Sequence, residues 1–243
     1  MKKNNFKKEL KQGLMEFGLS PDSFCLDQFW IYLQFLISEN KKYNLTGITE
    51  IEKIISHHFL DSAAIFIHNK YDDFEQVLDL GTGAGFPGMV YKILYPGLPV
   101  FFLDSRQKRI LFLQKLYNRL SLPGEFPDML HGRAEEYGHL NEYREKFNPV
   151  VSRAVAPLNV LCEYVLPFVR PGGFMYSYKG SDPEKEINKA RAALSKLGGD
   201  LVSVQKVEVP GVDSKRNIIK IKKTSSTPTD LPRRPGRPKK SPL

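Results

Sequence analysis

The spacing of apolar residues changes near residue 75 and divides the chain into two parts. Residues 1–75 carry apolar side chains at helical spacing, and the clearest stripe runs over residues 26–37. From residue 76 onward, short apolar runs alternate with longer amphipathic segments. Strands that alternate with helices predict a parallel sheet covered by helices on both faces.

The pattern after residue 75 predicts individual elements. Strands are predicted over residues 76–80, 100–104, 128–132, 149–153 and 173–179, and helices over residues 89–95, 106–120, 158–168 and 183–197. Two final alternating runs, 201–209 and 217–223, have no helix between them, so we expect an antiparallel hairpin at the edge of the sheet. The predicted fold class is α/β, with a doubly wound, mostly parallel seven-stranded sheet and an N-terminal helical extension.

Three regions follow from this pattern. We expect an N-terminal helical region over residues 1–75 packed on a core domain over residues 76–223, and a basic, Pro-rich tail over residues 224–243. The tail is rich in Pro, Ser, Thr and basic residues from Ser225 onward, and this composition predicts an extended segment.

Charge is concentrated at the end of the chain. The net charge is +9, and the part from Lys220 onward holds eight basic residues and one acidic residue, which leaves the body near neutral. A basic end favours an anionic partner such as nucleic acid. A solvated tail that only aids solubility is the alternative interpretation.

Other features limit the class of protein. No apolar run reaches the roughly 18 residues that a membrane span needs, and the lysine-rich start lacks the apolar stretch of a secretory signal. Cys25 and Cys162 cannot by themselves form a disulfide framework or a zinc site, and His57 and His58 lack further metal ligands. We therefore expect a cytoplasmic protein without a metal.

A glycine-rich loop follows the first predicted strand. The segment from Asp79 to Gly88 reads D-L-G-T-G-A-G-F-P-G and opens a helix. Glycines such as Gly81 and Gly83 allow positive φ and let a ligand approach the backbone closely. The part from Gly83 to Gly88 also satisfies G-x-G-x-x-G, so a nicotinamide dinucleotide and S-adenosylmethionine are both candidate cofactors.

Two acidic residues help to choose between these cofactors. Asp79 would add negative charge beside a pyrophosphate, whereas it suits the cationic amino-acid end of S-adenosylmethionine. Asp104 ends the second predicted strand, where it can accept hydrogen bonds from ribose hydroxyls of either cofactor. The loop together with these acids favours the methyl donor.

The residues also bear on the methyl acceptor. Methylation of an adenine amino group usually needs an N-P-P-Y-like corner after the fourth strand, where this chain has Val150 to Ala154. Methylation of pyrimidine C5 needs a nucleophilic cysteine, but Cys162 lies in an apolar helix. Guanine N7 has its own lone pair and requires neither group, so catalysis reduces to positioning and charge. We therefore assign no catalytic base.

Several segments together resemble one family. They are Lys42–Thr46, His58–Ser62, Asp79–Gly88, Leu103–Arg109, Gly132–Glu136, Ser152–Ala154 and the Leu231–Pro238 stretch, and in this order they resemble the RsmG (GidB) family. The likeness runs from about residue 26 to the end, with one departure at Glu39, where the family commonly has Trp. The resemblance implies a class I S-adenosylmethionine-dependent methyltransferase fold and transfer to guanine N7 of 16S rRNA.

The resemblance also implies a set of donor contacts. By position they fall on Gly81, Phe86, Ala134, Glu135 and Arg153. Phe86 would cover the donor or the target base, with core packing as the alternative. Arg153 would pair with the donor's carboxylate or with a substrate phosphate, and the sequence does not separate these.

Candidate RNA contacts are basic residues near the predicted carboxyl edge and the tail. They are Arg106, Lys108, Arg109, Lys179, Lys215, Arg216, Arg233, Arg234 and Arg237. Four polar residues of the helical region would line the target pocket or form a network that fixes the helices to the sheet; they are Asn44, Thr46, His58 and Asp61.

The expected partner is small-subunit rRNA, free or in an assembly intermediate, and the expected state is a monomer. Three alternatives remain at this point. They are a non-catalytic RNA-binding or assembly factor on the same fold, a methyltransferase acting on a small molecule or protein, and a nicotinamide oxidoreductase.

Overall fold

A computed structural model describes all 243 residues and contains one seven-stranded sheet in the order β3-β2-β1-β4-β5-β7-β6. The strands are β1 Val77–Leu80, β2 Val100–Asp104, β3 Met129–His131, β4 Val150–Arg153, β5 Phe174–Lys179, β6 Gly199–Val207 and β7 Arg216–Lys223. The first five strands are parallel, β7 is antiparallel to β5, and β6 forms the edge. The predicted fold class and edge hairpin are confirmed.

Helices precede and separate the strands. They are α1 Lys3–Glu16, α2 Ser23–Tyr43, α3 Ile51–Ile54, α4 Asp61–Ala63, α5 Gly88–Leu94, α6 Gln107–Tyr117, α7 Ala134–Tyr137, α8 Leu158–Val165, α9 Pro183–Leu197 and α10 Arg237–Lys240. A π-helical turn, Ile55–Leu60, joins α3 to α4. None of the helices combines the length and hydropathy that crossing a bilayer requires.

The ends of α9 illustrate how local sequence sets element boundaries. The Asp182 carboxylate accepts a hydrogen bond from the Lys185 N–H, and Pro183 occupies the first turn. At the other end Gly198 adopts a left-handed conformation with φ of 72°, which a residue without Cβ adopts at little cost. The predicted helix over residues 183–197 therefore matches the observed one.

The central strands of the sheet are buried on both faces. Val77 of β1 belongs to a core of 41 buried residues that includes the N-terminal helices, α5 and α6. Its neighbour Leu78 points to a second core of 21 residues formed with α8 and α9. The N-terminal helices thus extend one of the two layers that cover the sheet.

The prediction of an extended tail was wrong. Residues 224–243 fold back on the body, and Leu231 is fully buried in the core of α8 and α9. The Arg144 guanidinium donates hydrogen bonds to the carbonyls of Thr227, Pro228 and Leu231 at 2.7, 2.9 and 2.8 Å. These contacts join parts of the chain more than 80 residues apart, so local composition cannot reveal them.

Candidate functional site

A pocket of about 300 Å³ lies at the carboxyl ends of the central strands. Its lining includes Leu80 at the end of β1, Asp104 at the end of β2, Gly132 after β3 and Ala154 after β4. The strand order reverses between β1 and β4. Open α/β sheets bind ligands beyond the carboxyl ends of their strands at such a reversal.

The glycine loop forms one side of this pocket, which we call the donor pocket. Gly81 and Gly83 have φ of 75° and 60°, a region that residues with a Cβ seldom adopt. A Cβ added at Gly81 would lie 2.3 Å from Val155 Cγ2, so no side chain fits there without movement. The need for glycine at position 81 is therefore both conformational and steric.

Asp104 ties the glycine loop to the end of β2. Its Oδ2 accepts hydrogen bonds from the Gly83 N–H and the Arg109 guanidinium, both at 3.0 Å. Its Oδ1 accepts from the Arg106 N–H at 2.9 Å. The carboxylate lines the donor pocket, as an acceptor for ribose hydroxyls would.

Asp79 lies beneath the loop rather than in the pocket. The side chain is fully buried, and its Oδ2 accepts a hydrogen bond from the Gly88 N–H at 2.9 Å. Burial raises the pKa of Asp79 to about 7, against the lowering effects of Thr82, the Gly88 amide and Arg153. Asp79 therefore does not line the donor pocket, where its direct contact with the ligand was expected.

Two buried oxygens under the loop lack hydrogen-bond partners. They are Oδ1 of Asp79 and Oγ1 of Thr82. Unpaired buried acceptors are costly, and functional sites are where they are tolerated. An ammonium group held above this loop would lie over the buried carboxylate of Asp79, so the charge of the residues present fits the amino-acid end of S-adenosylmethionine.

The opposite side of the donor pocket is formed by the start of α7 and by α8. Ala134 and Glu135 line it together with Tyr164 of α8. The Glu135 carboxylate accepts a hydrogen bond from the Gly236 N–H at 3.0 Å, which turns it toward the C-terminal segment. The backbone of Ala134 and Glu135 is what remains for a ligand on this side.

A second cavity of about 600 Å³ adjoins the donor pocket. The two share only Ala154 and Val155, which lie between them. The charged and histidine residues of this cavity, which we call the acceptor cavity, are His57, His58, Asp61, Arg153, Lys179, Glu186 and Arg216.

Arg153 lines the acceptor cavity and not the donor pocket. Its Nη1 donates to Asp61 Oδ2 at 2.6 Å and to the His57 carbonyl at 3.1 Å. Arg216 Nε donates to the other Asp61 oxygen at 3.0 Å, so one carboxylate joins two arginines. The position of Arg153 favours the substrate over the donor carboxylate as its partner.

Phe86 is a core residue rather than a lining residue. It is 6% exposed, and its ring stacks between Tyr32 and His58 with centroid distances of 5.2 and 4.6 Å. Neither cavity includes Phe86 in its lining. The structure therefore shows the packing that was the alternative, and a contact of Phe86 with the donor stays a prediction.

The polar residues of the helical region form a network. Thr46 Oγ1 and His58 Nε2 are 2.7 Å apart, and Asp61 joins Arg153 as described. Burial, followed by the charge of Arg153, lowers the pKa of His58 to about 3, so this ring is neutral near pH 7. The network interpretation is confirmed, except that Asn44 ends α2 without joining it.

Four of the nine expected RNA contacts are already paired. Arg109, Lys179, Arg216 and Arg233 bind Asp104, Glu186, Asp61 and Glu163 at 3.0, 2.6, 3.0 and 2.6 Å. The exposed ones are Arg106, Lys108, Lys215, Arg234 and Arg237. A residue's charge can be read from the sequence, but its partner cannot. Asp61 and Glu163 are distant along the chain from their arginines, and Glu186 lies in a different element from Lys179.

Two further lining residues, Val155 and Tyr164, were not expected from the sequence. Val155 separates the two cavities and covers Gly81, while Tyr164 closes the donor pocket from α8. Neither residue carries a chemical signal in the sequence. Val155 follows β4 and Tyr164 belongs to α8, and the two residues reach the same pocket only in the folded chain.

The described residues hold no cluster of His, Cys, Asp and Glu that could bind a metal ion. Cys162 is fully buried, and burial raises the pKa of its thiol to about 12. It therefore remains protonated and cannot act as a nucleophile at neutral pH.

This strand order, the glycine loop and the acidic residue at the end of β2 define a class I S-adenosylmethionine-dependent methyltransferase. A solved transferase structure from Pyrococcus horikoshii has the same kind of fold, with a TM-score of 0.50 and 10% identity over 63% of this chain and 59% of that chain. The profile described as rRNA small subunit methyltransferase G matches residues 25–219.

Curated relatives cover nearly the whole chain. A ribosomal RNA small subunit methyltransferase G from Thermoanaerobacter sp. is 40% identical over 99% of this chain and 100% of its own. One from Lachnoclostridium phytofermentans is 44% identical over 96% of this chain and 95% of its own. The chain belongs to the family of rRNA small subunit methyltransferases G, which confirms the resemblance and the predicted cofactor, S-adenosylmethionine.

Proposed function

We propose that the chain transfers a methyl group from S-adenosylmethionine to N7 of a guanine in 16S rRNA. The observation that carries the proposal is the junction of the two cavities at Val155. One cavity has the loop and carboxylate that suit the donor, and the other has the charged side chains that suit a nucleotide. A reacting methyl group would pass between them over a short distance.

The chain offers specific groups to the donor. Gly81 would permit close approach, the Asp104 carboxylate would accept from the ribose hydroxyls, and the backbone of Ala134 and Glu135 would hold the adenine. The carboxylate of Asp79, buried beneath the loop, suits the charge of the ammonium group. When bound, S-adenosylmethionine supplies an electrophilic methyl group on a sulfonium.

Two of the acid–base groups that line the acceptor cavity, His58 and Asp61, bear on the choice of guanine N7. His58 has a pKa of about 3 and already contacts Thr46. Both oxygens of Asp61 are held by arginines. These two groups are already engaged, and attack by N7 leaves no proton to remove.

We propose further that Arg153 contacts the substrate and that the exposed cations around the site bind the rRNA backbone. The enzyme would act as a monomer in the cytoplasm. Support comes from Cys25 and Cys162, which are both free thiols. We also propose that residues 1–75 work with the core as a wall of the acceptor cavity, since His57, His58 and Asp61 come from this part.

The decisive experiment uses labelled donor and small-subunit rRNA that lacks the modification, both as naked rRNA and as assembled subunits. Label is expected on a guanine that becomes labile to the cleavage chemistry specific for N7-methylguanine. Label on another atom of the base would contradict the N7 assignment. Absence of transfer to either substrate would favour the non-catalytic assembly factor, and a weak dependence of binding on salt would favour a small molecule or protein as substrate.

A further inference from the structure

The C-terminal segment, residues 224–243, contacts the two elements that form the far side of the donor pocket. Gly236 N–H donates to Glu135 at the start of α7 at 3.0 Å. Three residues earlier, Arg233 binds Glu163 of α8, and the next residue on α8 is Tyr164. Glu135 and Tyr164 both line the donor pocket.

The contact between Arg233 and Glu163 is strong by its geometry. The Arg233 backbone N–H and Nε each donate to Oε1 at 2.8 Å, and Nη2 donates to Oε2 at 2.6 Å. Bidentate pairs between a guanidinium and a carboxylate fix orientation as well as distance. The Glu163 side chain is fully buried, so removing its partner would leave an uncompensated charge.

Further contacts hold the same segment against the end of α7. The His139 ring is 2.7 Å from the Pro232 carbonyl, and Pro232 packs on Gly138, where a Cβ would come within 3.0 Å of its ring. Arg144 spans the Gly138 carbonyl at 2.7 Å and the carbonyls of the C-terminal segment. The segment is thereby fastened to both elements at several points.

We infer that Arg233 is a positioning residue for donor binding, which acts through Glu163 and the neighbouring Gly236 contact on the α7 and α8 side of the donor pocket. This rests on the proposed donor site and extends it to a part of the chain that does not line the pocket. The basic end of the chain thus serves the cofactor at Arg233, whereas its exposed cations remain available for RNA. Short helices such as α7, with four residues, have little stability of their own and depend on such contacts.

The test compares three full-length variants. Arg233→Ala removes the bidentate contact, Arg233→Lys keeps the charge but not the fork, and Lys239→Ala removes one exposed charge from the same segment as a matched control. Affinity for S-adenosylhomocysteine is measured by calorimetry. Steady-state kinetics on small-subunit rRNA then separates the KM for the donor, the KM for rRNA and kcat.

We expect the dissociation constant of Arg233→Ala for S-adenosylhomocysteine to rise about tenfold, because small misplacements of a binding wall are costly. The donor KM should rise in parallel, with kcat at saturating donor and the KM for rRNA within about twofold of wild type. The dissociation constant of Arg233→Lys should lie between those of wild type and Arg233→Ala. If Arg233→Ala does not fold, Arg233→Lys serves as the test. Lys239→Ala should bind the ligand as wild type does.

Three results would overturn the inference. The first is a folded Arg233 variant with unchanged ligand affinity and a raised KM for rRNA, which would make Arg233 an RNA contact. The second is an Arg233 variant with lowered thermal stability and wild-type ligand affinity. The third is a loss of ligand affinity in Lys239→Ala equal to that in Arg233→Ala. Failure of the wild-type protein to bind S-adenosylhomocysteine would instead contradict the proposed donor site itself. Failure of the donor site and failure of the role of Arg233 are therefore distinguishable.

Discussion

At the scale of single residues, the glycine loop works because backbone occupies the space that side chains would need. Gly81 lies under Val155, and a Cβ there would come within 2.3 Å of the valine methyl. The positive φ of 75° adds conformational strain for any other residue. The sequence pattern identified this position, while the covering residue appears only in the folded chain.

Gly81→Asp should abolish donor binding and leave the fold largely intact. The new side chain would displace Val155 and place a carboxylate in the donor pocket beside Asp104. We expect the affinity for S-adenosylhomocysteine to fall at least about a hundredfold in calorimetry. Gly97→Asp is the control, because Gly97 is surrounded by open space and should bind as wild type does. Equal affinity of Gly81→Asp and wild type would refute the site assignment.

Asp79 predicts a pH dependence of ligand binding. Its pKa is raised by burial from 3.8 to about 7, so the free protein holds a proton on Asp79 below pH 7 and, for this group, loses stability as pH rises from about 4 to 7. A ligand ammonium favours the ionised form. Affinity for S-adenosylhomocysteine should therefore increase about tenfold from pH 6 to pH 8.

The matched variant for this prediction is Asp79→Asn, which keeps the shape and cannot ionise. Its affinity should be low and nearly independent of pH over the same range. Calorimetry in buffers of different ionisation enthalpy should detect proton release on binding below pH 7 for wild type only. A flat wild-type profile between pH 6 and pH 8 would show that Asp79 does not couple to the ligand.

At the scale of elements, the sequence determines most boundaries and few long-range partners. The strand over residues 100–104 and the helix over residues 183–197 match the prediction, because apolar periodicity, Pro183 and Gly198 are local signals. The C-terminal segment was predicted wrongly, since its Pro, Ser and basic composition is that of a linker. Its folding depends on acceptors such as Glu135 and Glu163, which lie 101 and 70 residues away.

The candidate site follows the same division. The sequence located Gly81, Asp104, Ala134 and Glu135, which come together because parallel strands end at one edge of the sheet. It left open whether Phe86 packs inside and whether Arg153 faces the donor or the substrate. Those outcomes depend on α2 and on the turn that joins α3 to α4, whose placement against β4 no local pattern specifies.

The Asp61 carboxylate should stabilise the junction between the N-terminal helices and the sheet. Its side chain is 8% exposed and binds Arg153 of β4 and Arg216 of β7. Asp61→Ala would leave two partly buried arginines unpaired, and we expect a loss of about 3 kcal/mol in the free energy of unfolding by urea denaturation.

Asp27 of α2 provides the control for the Asp61→Ala prediction. It also binds two cations, Lys3 and Lys7, but its side chain is 34% exposed. Water screens exposed pairs, so Asp27→Ala should destabilise the protein far less than Asp61→Ala. If the two substitutions cost the same, the junction at Asp61 is not a major source of stability.

At the scale of the whole molecule, the excess charge is less available than the total of +9 suggests. Lys223 is fully buried, where burial lowers its pKa to about 8, and Arg233 is paired with Glu163. What remains on the surface near the carboxyl edge of the sheet includes Arg106 in the β2–α6 connection, Lys108 in the first turn of α6, and Lys215 just before β7. RNA binding should therefore depend on a small set of exposed cations around the site.

Salt dependence tests this distribution directly. The logarithm of the binding constant for small-subunit rRNA should fall linearly with the logarithm of salt concentration, and each lost phosphate contact should reduce the slope by about 0.7. Lys108→Ala and Lys215→Ala should each show this reduction without a change in affinity for S-adenosylhomocysteine. Lys146→Ala is the control, because Lys146 is also exposed but precedes β4 at the opposite edge of the sheet. A slope that changes as much in Lys146→Ala would mean that RNA is attracted by net charge alone, and that the carboxyl edge has no special role in recognition.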